Sequence, residues 1–388
     1  MGAGMNFEFA TATRIIFGDG RLKEIGELAR PFGRNALVIT TEGGVDPVPL
    51  IDYLEEEGIT SDLFLIRDEP TIDVIKLGTD AVRGAGSELI IGIGGGSVMD
   101  AAKAIAAMLT NPGSLTEYLE VIGQGRQLTR NPAPVIAIPT TSGTGAEVTR
   151  NAVLVVPEKG YKVSLRSPLL YPRVALVDPQ LSWSMPPQLT AATGMDAMSQ
   201  LIEPYVSLRA NPMADLFCLD GLRRAAGSLE EAFLNGNNAA ARREMSLASL
   251  YGGLALANAG LGAVHGLAAP LGGMYQAPHG MICARLLAPV MAENVRVLRK
   301  TAPDSPALAR YAEVARLLTG SPSASIEEGI TWVENLVQRL QIPGLTAYGL
   351  DQNDFGELAE KGMAASSMKS NPVVLSQVEI QEILAKAL

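Results

Sequence analysis

Two cysteines in 388 residues, Cys218 and Cys283, exclude a disulfide framework; they fit a reducing compartment and free thiols packed in the core. Basic runs are also missing. The 31 Lys and Arg residues are scattered among 41 Asp and Glu, for a formal net charge of −10, so neither nucleic acid nor an anionic membrane surface is an expected partner. An uninterrupted apolar span is missing as well. Met245 to Ala284 carries almost no charge, but glycines, Asn258, Pro270 and Pro278 break it, which predicts a buried helix followed by a tight loop. Met1-Gly2-Ala3-Gly4-Met5 has neither the basic nor the long apolar region of a signal peptide, so a cytoplasmic location is expected. Histidine is equally scarce. The chain has two, His265 and His279, each followed by glycine and both inside that one uncharged segment. The side chain that most often ligates metals and titrates near neutrality is thus used only there. Either the pair consists of hydrogen-bonded core residues or it marks a site.

What is present falls into two halves of different periodicity. Asn35 to Thr40, Asp62 to Ile66, Glu88 to Gly92, Pro134 to Ile138 and Val174 to Val177 are short, β-rich runs, the pattern of strands covered on both faces. Amphipathic stretches around Leu50 to Glu57 and Ile72 to Gly84 lie between them. That alternation predicts an α/β domain with a doubly wound, mainly parallel sheet over residues 1–180. After Asp178-Pro179 the strand-like runs cease and Ala/Leu-rich helical segments continue to Leu388. Pro186-Pro187 signals a helix starting near Gln188, and Asn211-Pro212 and Asn371-Pro372 are further punctuation. An all-helical domain is therefore expected over 181–388, and the cleft beside a sheet domain is a common place for a small molecule.

Gly92-Ile93-Gly94-Gly95-Gly96-Ser97 joins a buried strand to a helix beginning near Val98. Glycines there let backbone N–H groups approach an anion, and the helix turns its positive end toward it. No Lys-Ser/Thr pair follows, so this is not a Walker loop, and a plain tight turn is the alternative. Asp100 and Lys103 on the first turns of that helix either serve the same site or are solvated. A second polar loop, Pro139-Thr140-Thr141-Ser142-Gly143-Thr144-Gly145-Ala146-Glu147-Val148-Thr149, follows the next strand, where parallel sheets bind ligands. Two such loops after successive strands favour a shared nucleotide site.

These residues resemble the iron-containing, or group III, alcohol dehydrogenases, a family that includes lactaldehyde reductase, butanol dehydrogenases and, more distantly, maleylacetate reductases and glycerol dehydrogenase. The resemblance is carried by Gly94-Gly95-Gly96-Ser97 with Asp100 and Lys103, by Pro139 to Glu147, by Gly194-Met195-Asp196-Ala197, and by His265-Gly266 and Pro278-His279-Gly280. It runs from the N-terminal strand to Asn371-Pro372 and the closing helix. It implies a dinucleotide-binding domain and a helical metal and substrate domain, with NAD or NADP in the cleft. It also implies a divalent metal, Fe²⁺ or Zn²⁺, a small alcohol or aldehyde substrate, and a homo-oligomer, a dimer.

The family's ligands are an aspartate and three histidines. Asp196, His265 and His279 match three of them and would be both metal-ligating and catalytic. Where the family has the remaining histidine, four residues after the aspartate, this chain has Gln200; where many members have a further histidine, it has Ala269. Asp196 and Gln200 are spaced i, i+4, so they share a helix face and can reach a common ion. The Gln200 carbonyl is a weaker donor than imidazole for either metal; its alternatives are a hydrogen bond to substrate or a metal-free site. Ala269 cannot relay a proton, which must travel by water, a cofactor hydroxyl or another side chain.

By resemblance, Thr41, Gly94, Gly95, Gly96, Ser97, Asp100, Thr140, Thr141, Thr144, Thr149 and Lys162 are the cofactor-binding positions. Thr41 stands where NAD-preferring members carry an aspartate for the ribose, and Glu42 comes one residue late, so NADP should be tolerated and NAD stays open. Lys162 either neutralises phosphate or is solvated. Three functions remain after this reading: an NAD(P)-dependent alcohol dehydrogenase with a modified metal site, a metal-independent reductase of the same fold, and a catalytically silent NAD(P)-binding protein.

Overall fold

The structure is a computed structural model that describes residues 6–120, 122–156, 161–275 and 277–388. It resolves into two compact units. Ala12–Pro186 with Asn235–Ser246 forms the first, and Pro187–Leu234 with Leu247–Leu388 and the N-terminal residues up to Thr11 forms the second.

The first unit contains β1 (Arg14–Phe17), α1 (Ile25–Ala29), β2 (Asn35–Thr41), α2 (Val48–Glu56), β3 (Thr60–Ile66), α3 (Ile72–Ala85), β4 (Leu89–Gly94), α4 (Gly96–Thr110), α5 (Leu115–Tyr118), β5 (Val135–Pro139), β6 (Asn151–Val156), β7 (Tyr161–Arg166) and β8 (Val174–Val177). Six strands make one parallel sheet in the order β1-β8-β5-β4-β2-β3. The period-2 alternation of each strand then feeds two cores. Leu37, Ile39, Ile90 and Ala137 pack with Ile75 and Val82 of α3 and with the apolar residues of α4, while Ala36, Val38, Ile91 and Ile136 pack with Ile25, Leu50 and Leu54 on the opposite face. The sheet is doubly wound, as the alternating sequence requires. Its strand order reverses between β2, which has β3 on one side, and β4 on the other, and it is outside the carboxyl ends at such a reversal that ligands enter open α/β sheets.

Two features depart from the sequence reading. β3 is an edge strand and leaves Leu63 and Leu65 about half exposed, so it is not covered on both faces. The reading also omits β1 and the antiparallel β6–β7 pair. β6 buries Ala152, Leu154 and Val156 in the core that contains α4 and leaves the residues between only partly buried, an alternation quite unlike the continuous apolar runs of the central strands.

No strand follows β8 among the described residues. The rest is helical: α6 (Pro187–Val206), α7 (Pro212–Leu234), α8 (Ala239–Ala259), α9 (Ala263–Met274), α10 (His279–Thr301), α11 (Pro306–Thr319), α12 (Ile326–Arg339), α13 (Phe355–Ala364) and α14 (Gln377–Ala387). Pro187 and Pro212 each open a helix, as expected of proline in a first turn. α6 is buried almost all round from Thr190 to Val206 and packs against α7 and α10, which makes it the core helix of this unit. No single described helix is long and apolar enough to cross a membrane; α8 and α9 pass such a test only as a pair bent by 101°.

A tight break at Gly260–Gly262 follows α8, and the chain then continues as α9, a helix the sequence reading does not include. Its N–H groups are capped from a distance: Ala263 N donates to Asn371 Oδ1 at 3.1 Å and Val264 N to Glu203 Oε1 at 2.6 Å. A helix start satisfied by residues so remote in sequence leaves no local capping signature.

Candidate functional site

β4 and β5 run parallel and end side by side at Gly94 and Pro139, so the two loops that follow them meet. Thr140 N donates to Gly94 O at 2.9 Å. Side chains at the glycines would close this junction: a Cβ on Gly94 would fall 2.4 Å from Val98 Cγ2, and one on Gly96 would fall 2.9 Å from Thr144 Cγ2. α4 starts at Gly96 behind Gly95, which offers no side-chain cap. The first amides of α4, including that of Ser97, therefore have no side-chain cap from Gly95, and a helix start left open in this way suits a phosphate. Thr141 flanks Gly95, and Thr41 ends the neighbouring strand β2. Helix α4 begins two residues earlier than the Val98 start expected from sequence.

Four other nominated positions lie in a different setting. Lys103, with no exposed side-chain surface, donates from Nζ to Thr149 Oγ1 at 3.0 Å and to Asn151 O at 2.7 Å, and pairs with Asp100 at 3.7 Å. Asp100, Lys103 and Thr149 thus fasten the start of β6 to α4, and neither charged group is solvated. Lys162 pairs with Glu69 at 2.6 Å, and Glu42, beside Thr41, pairs with Arg67 at 3.0 Å.

Burial pushes the Asp100 carboxyl up to about 6 and the Glu147 carboxyl up to about 7, against the pull of Lys103. A carboxyl raised on folding contributes stability that is whole below its unfolded value near 4.5 and is lost as pH rises through 7. Between pH 5 and pH 8 the protein should therefore lose about 3 kcal/mol through Glu147. E147Q should lack that component, and denaturant unfolding of both proteins at the two pH values measures it. Equal pH slopes would reject the assignment.

The second site belongs wholly to the helical unit. Asp196, Gln200 and Glu203 occupy i, i+4 and i+7 of α6 and so line one face. His265 lies in the first turn of α9, His279 begins α10, and Cys283 follows one turn later on the same face of α10. Asp196 Oδ1 is 3.2 Å from His265 Nε2 and 3.7 Å from His279 Nε2. Cys283 Sγ is 3.6 Å from His279 Nε2 and 4.0 Å from His265 Nε2. One ligand atom from each of Asp196, His265, His279 and Cys283 lies within 4.8 Å of all the others. That spacing and donor chemistry fit a divalent transition metal.

Outside this cluster, Glu203 receives His265 Nδ1–H on Oε2 at 2.6 Å while its Oε1 caps α9. One carboxylate thereby fixes the ring's orientation and the helix that carries it. With the proton on Nδ1, the lone pair of Nε2 points into the cluster, the familiar carboxylate–histidine–metal arrangement.

Burial resists ionisation of Asp196, but hydrogen bonding from His265 and the charge of His279 hold its pKa below the usual range. Burial likewise resists protonation of both rings; Cys283 and Glu203 nevertheless raise His265 well above its ordinary value, and Cys283 raises His279. Burial also opposes a Cys283 thiolate, and the two rings bring its pKa down regardless.

Among the positions nominated from sequence, Asp196, His265 and His279 converge. Gln200 lies beside them, 4% exposed; its side-chain amide donates to Asp196, and its Oε1 has no hydrogen-bond partner. Ala269 sits one turn after His265 on α9 with no polar group to offer. Sequence reasoning missed Glu203 and treated Cys283 as a core residue. Both had a helical-spacing signal, seven residues after Asp196 and four after His279.

A parallel doubly wound sheet with paired glycine- and threonine-rich loops, and a helical unit that brings Asp196, His265, His279 and Cys283 together, are the features of a two-part dehydrogenase fold. The description "Iron-containing alcohol dehydrogenase" matches residues 12–179, and "Fe-containing alcohol dehydrogenase family, C-terminal" matches residues 190–388. The chain belongs to the iron-containing alcohol dehydrogenase family and is an oxidoreductase acting on CH–OH groups. It is 34% identical to alcohol dehydrogenase 4 of Schizosaccharomyces pombe over 380 residues, covering 96% of this chain and 87% of that protein. To 1,3-propanediol dehydrogenase of Klebsiella pneumoniae it is 33% identical over 396 residues, 98% of each. The solved alcohol dehydrogenase of Oenococcus oeni superposes with a TM-score of 0.91 at 32% identity, covering 99% of this chain and 100% of that one.

Proposed function

We propose that the protein transfers hydride between NAD(P) and a small alcohol or aldehyde with the help of a divalent ion held by Asp196, His265 and His279. The observation that carries this reading is the approach of both imidazole Nε2 atoms to within 3.7 Å of Asp196 Oδ1, with Glu203 orienting one ring. When bound, such an ion polarises a carbonyl oxygen or stabilises an alkoxide. The protein's own groups do the rest. Glu203 holds the His265 tautomer, the Gln200 amide orients Asp196, and the burial of Asp196 excludes water that would compete for it.

At the nucleotide loops, the Gly94–Gly96 backbone and the first turn of α4 are proposed to receive the pyrophosphate, with Ser97, Thr140, Thr141 and Thr144 as hydroxyl donors. Thr41 brings no carboxylate to the ribose, and Glu42 is engaged by Arg67, so a 2′-phosphate meets no negative charge from Thr41 itself and NADP is accepted. Small diols and hydroxy acids are the proposed substrate class, because 1,3-propanediol dehydrogenase and 4-hydroxybutyrate dehydrogenase are among the relatives. With Ala269 in place of a protic residue, proton exchange passes through water or a cofactor hydroxyl.

The test is protein stripped with chelator and reloaded separately with Fe²⁺, Zn²⁺ and Mn²⁺. A panel of short aldehydes is followed by the reduced-nicotinamide absorbance near ~340 nm. Turnover should return with metal. Full activity in the stripped protein would make the enzyme a metal-independent reductase, and nucleotide binding with no turnover under any metal would reject catalysis.

A further inference from the structure

We propose that Cys283 supplies the fourth ligand of the metal centre, so that the site is Asp/His/His/Cys and selects Zn²⁺ over Fe²⁺. The inference rests on the metal-dependent reading above and adds the donor that reading leaves open.

The geometry singles out sulfur. A four-coordinate ion with metal–nitrogen and metal–oxygen bonds of about 2.0–2.1 Å and a metal–sulfur bond of about 2.3 Å sets its ligand atoms roughly 3.3–3.8 Å apart. The separations from Asp196 Oδ1 to the two Nε2 atoms are 3.2 and 3.7 Å, and those from Cys283 Sγ to the same atoms are 3.6 and 4.0 Å. These four separations are close to the spacing an ion requires, and all four ligand atoms lie within 4.8 Å of one another. Cys283 reaches it because His279 and Cys283 are one turn apart on α10, the spacing by which a helix offers two ligands to one ion.

Gln200 is placed for a different task. Its amide donates to Asp196, and its Oε1, without a hydrogen-bond partner, lies 3.4 Å from where a Cβ on Gly252 of α8 would stand. The glutamine is a positioning residue that holds the aspartate. The donor missing at position 200 is supplied from α10 instead.

The exchange alters the chemistry of the centre. A thiolate is a softer donor than imidazole, adds a second negative charge beside Asp196, and favours zinc among the available divalent ions. Cys218, the other cysteine, is buried on α7 away from the cluster and has its thiol pushed well up by burial. Any thiolate–metal signal from the folded chain therefore reports Cys283.

Cobalt supplies a readout independent of turnover. Metal-stripped full-length protein is loaded with Co²⁺, the metal content is measured by plasma emission, and the near-ultraviolet sulfur-to-cobalt charge-transfer band is recorded for wild type, C283A, C283S and Q200A. The wild type and Q200A should show the band; C283A and C283S should lose it. Zinc affinity should fall at least about 100-fold in both cysteine variants, beyond what loss of an outer partner costs. Thermal melts establish that the variants are folded, and C283S, which keeps the side-chain volume, guards against a packing defect in C283A. Cobalt bound by wild type without the band, or a band unchanged in C283A and C283S, would overturn the proposal while leaving the metal site standing. Failure of wild type to bind cobalt or zinc at all would remove the metal-dependent reading itself and this proposal with it.

Discussion

Asp196→Ala should lower NAD(P)-linked aldehyde reduction by at least about 10³-fold and bring the metal content of the purified protein close to zero. The aspartate is the only carboxylate in the cluster, is 2% exposed, and stands within reach of both rings. Without it a divalent ion would lose its central oxygen donor and much of its charge compensation. Metal polarisation is worth several kcal/mol of transition-state stabilisation, and each 1.36 kcal/mol lost is about a tenfold change in rate. Alanine is the best helix former, so α6 should persist and the circular dichroism of the variant should match the wild type. Activity within tenfold of wild type, or undiminished metal, would show that Asp196 is not the keystone of the site.

Gly280→Ala should destabilise the protein by about 3 kcal/mol or more, because overpacking against backbone cannot be relieved by a change of rotamer. A Cβ at this position would lie 2.1 Å from Ala192 O and 2.5 Å from Ala192 C of α6. The first turn of α10 must then lift away from α6, and it carries His279 with it. For a chain of this size the midpoint of thermal unfolding should fall by about 4 °C or more, and zinc affinity should fall together with it. Gly227→Ala is the matched control: that glycine is inside α7 with nothing within 4 Å of a new Cβ, so the variant should gain up to about 1 kcal/mol. Calorimetry of the two variants side by side distinguishes contact at Gly280 from the generic effect of glycine removal.

Much of this architecture is legible in the sequence, and for identifiable reasons. The central strands β2, β4, β5 and β8 are continuous apolar runs because α-helices cover both faces of the sheet, and that is a strong local pattern. β6 and β7 are harder to see because they bury alternate residues only, and part of their support comes from Lys103 on α4, which no local window contains. α9 is hidden for the same reason, since Glu203 and Asn371 cap it across long stretches of chain.

At the site, Asp196, His265 and His279 were visible by type and by resemblance, and the structure adds that they meet. Glu203 was not visible, because its role is to hold a ring and a helix end, and one glutamate among many helical carboxylates has no chemical mark. Cys283 was set aside because a lone cysteine in an apolar helix is usually inert packing; its register with His279 acquires meaning only once the partner helices are in place. Asp100 and Thr149, expected beside the cofactor, are both in contact with Lys103, a connection that no local stretch of sequence displays.

The distribution of the cluster over three helices has a consequence for the life of the protein in a cell. Asp196 and Cys283 stand far apart in the chain, on α6 and α10, so an ion held by the proposed ligands would cross-link the helical unit much as a covalent staple would, but reversibly. Because only the folded chain assembles all the donors, the free energy of binding adds to the free energy of folding in proportion to the logarithm of the available metal. Chains made during metal scarcity would open more often and reach proteases sooner, so the amount of enzyme, as well as its turnover, would follow the metal supply.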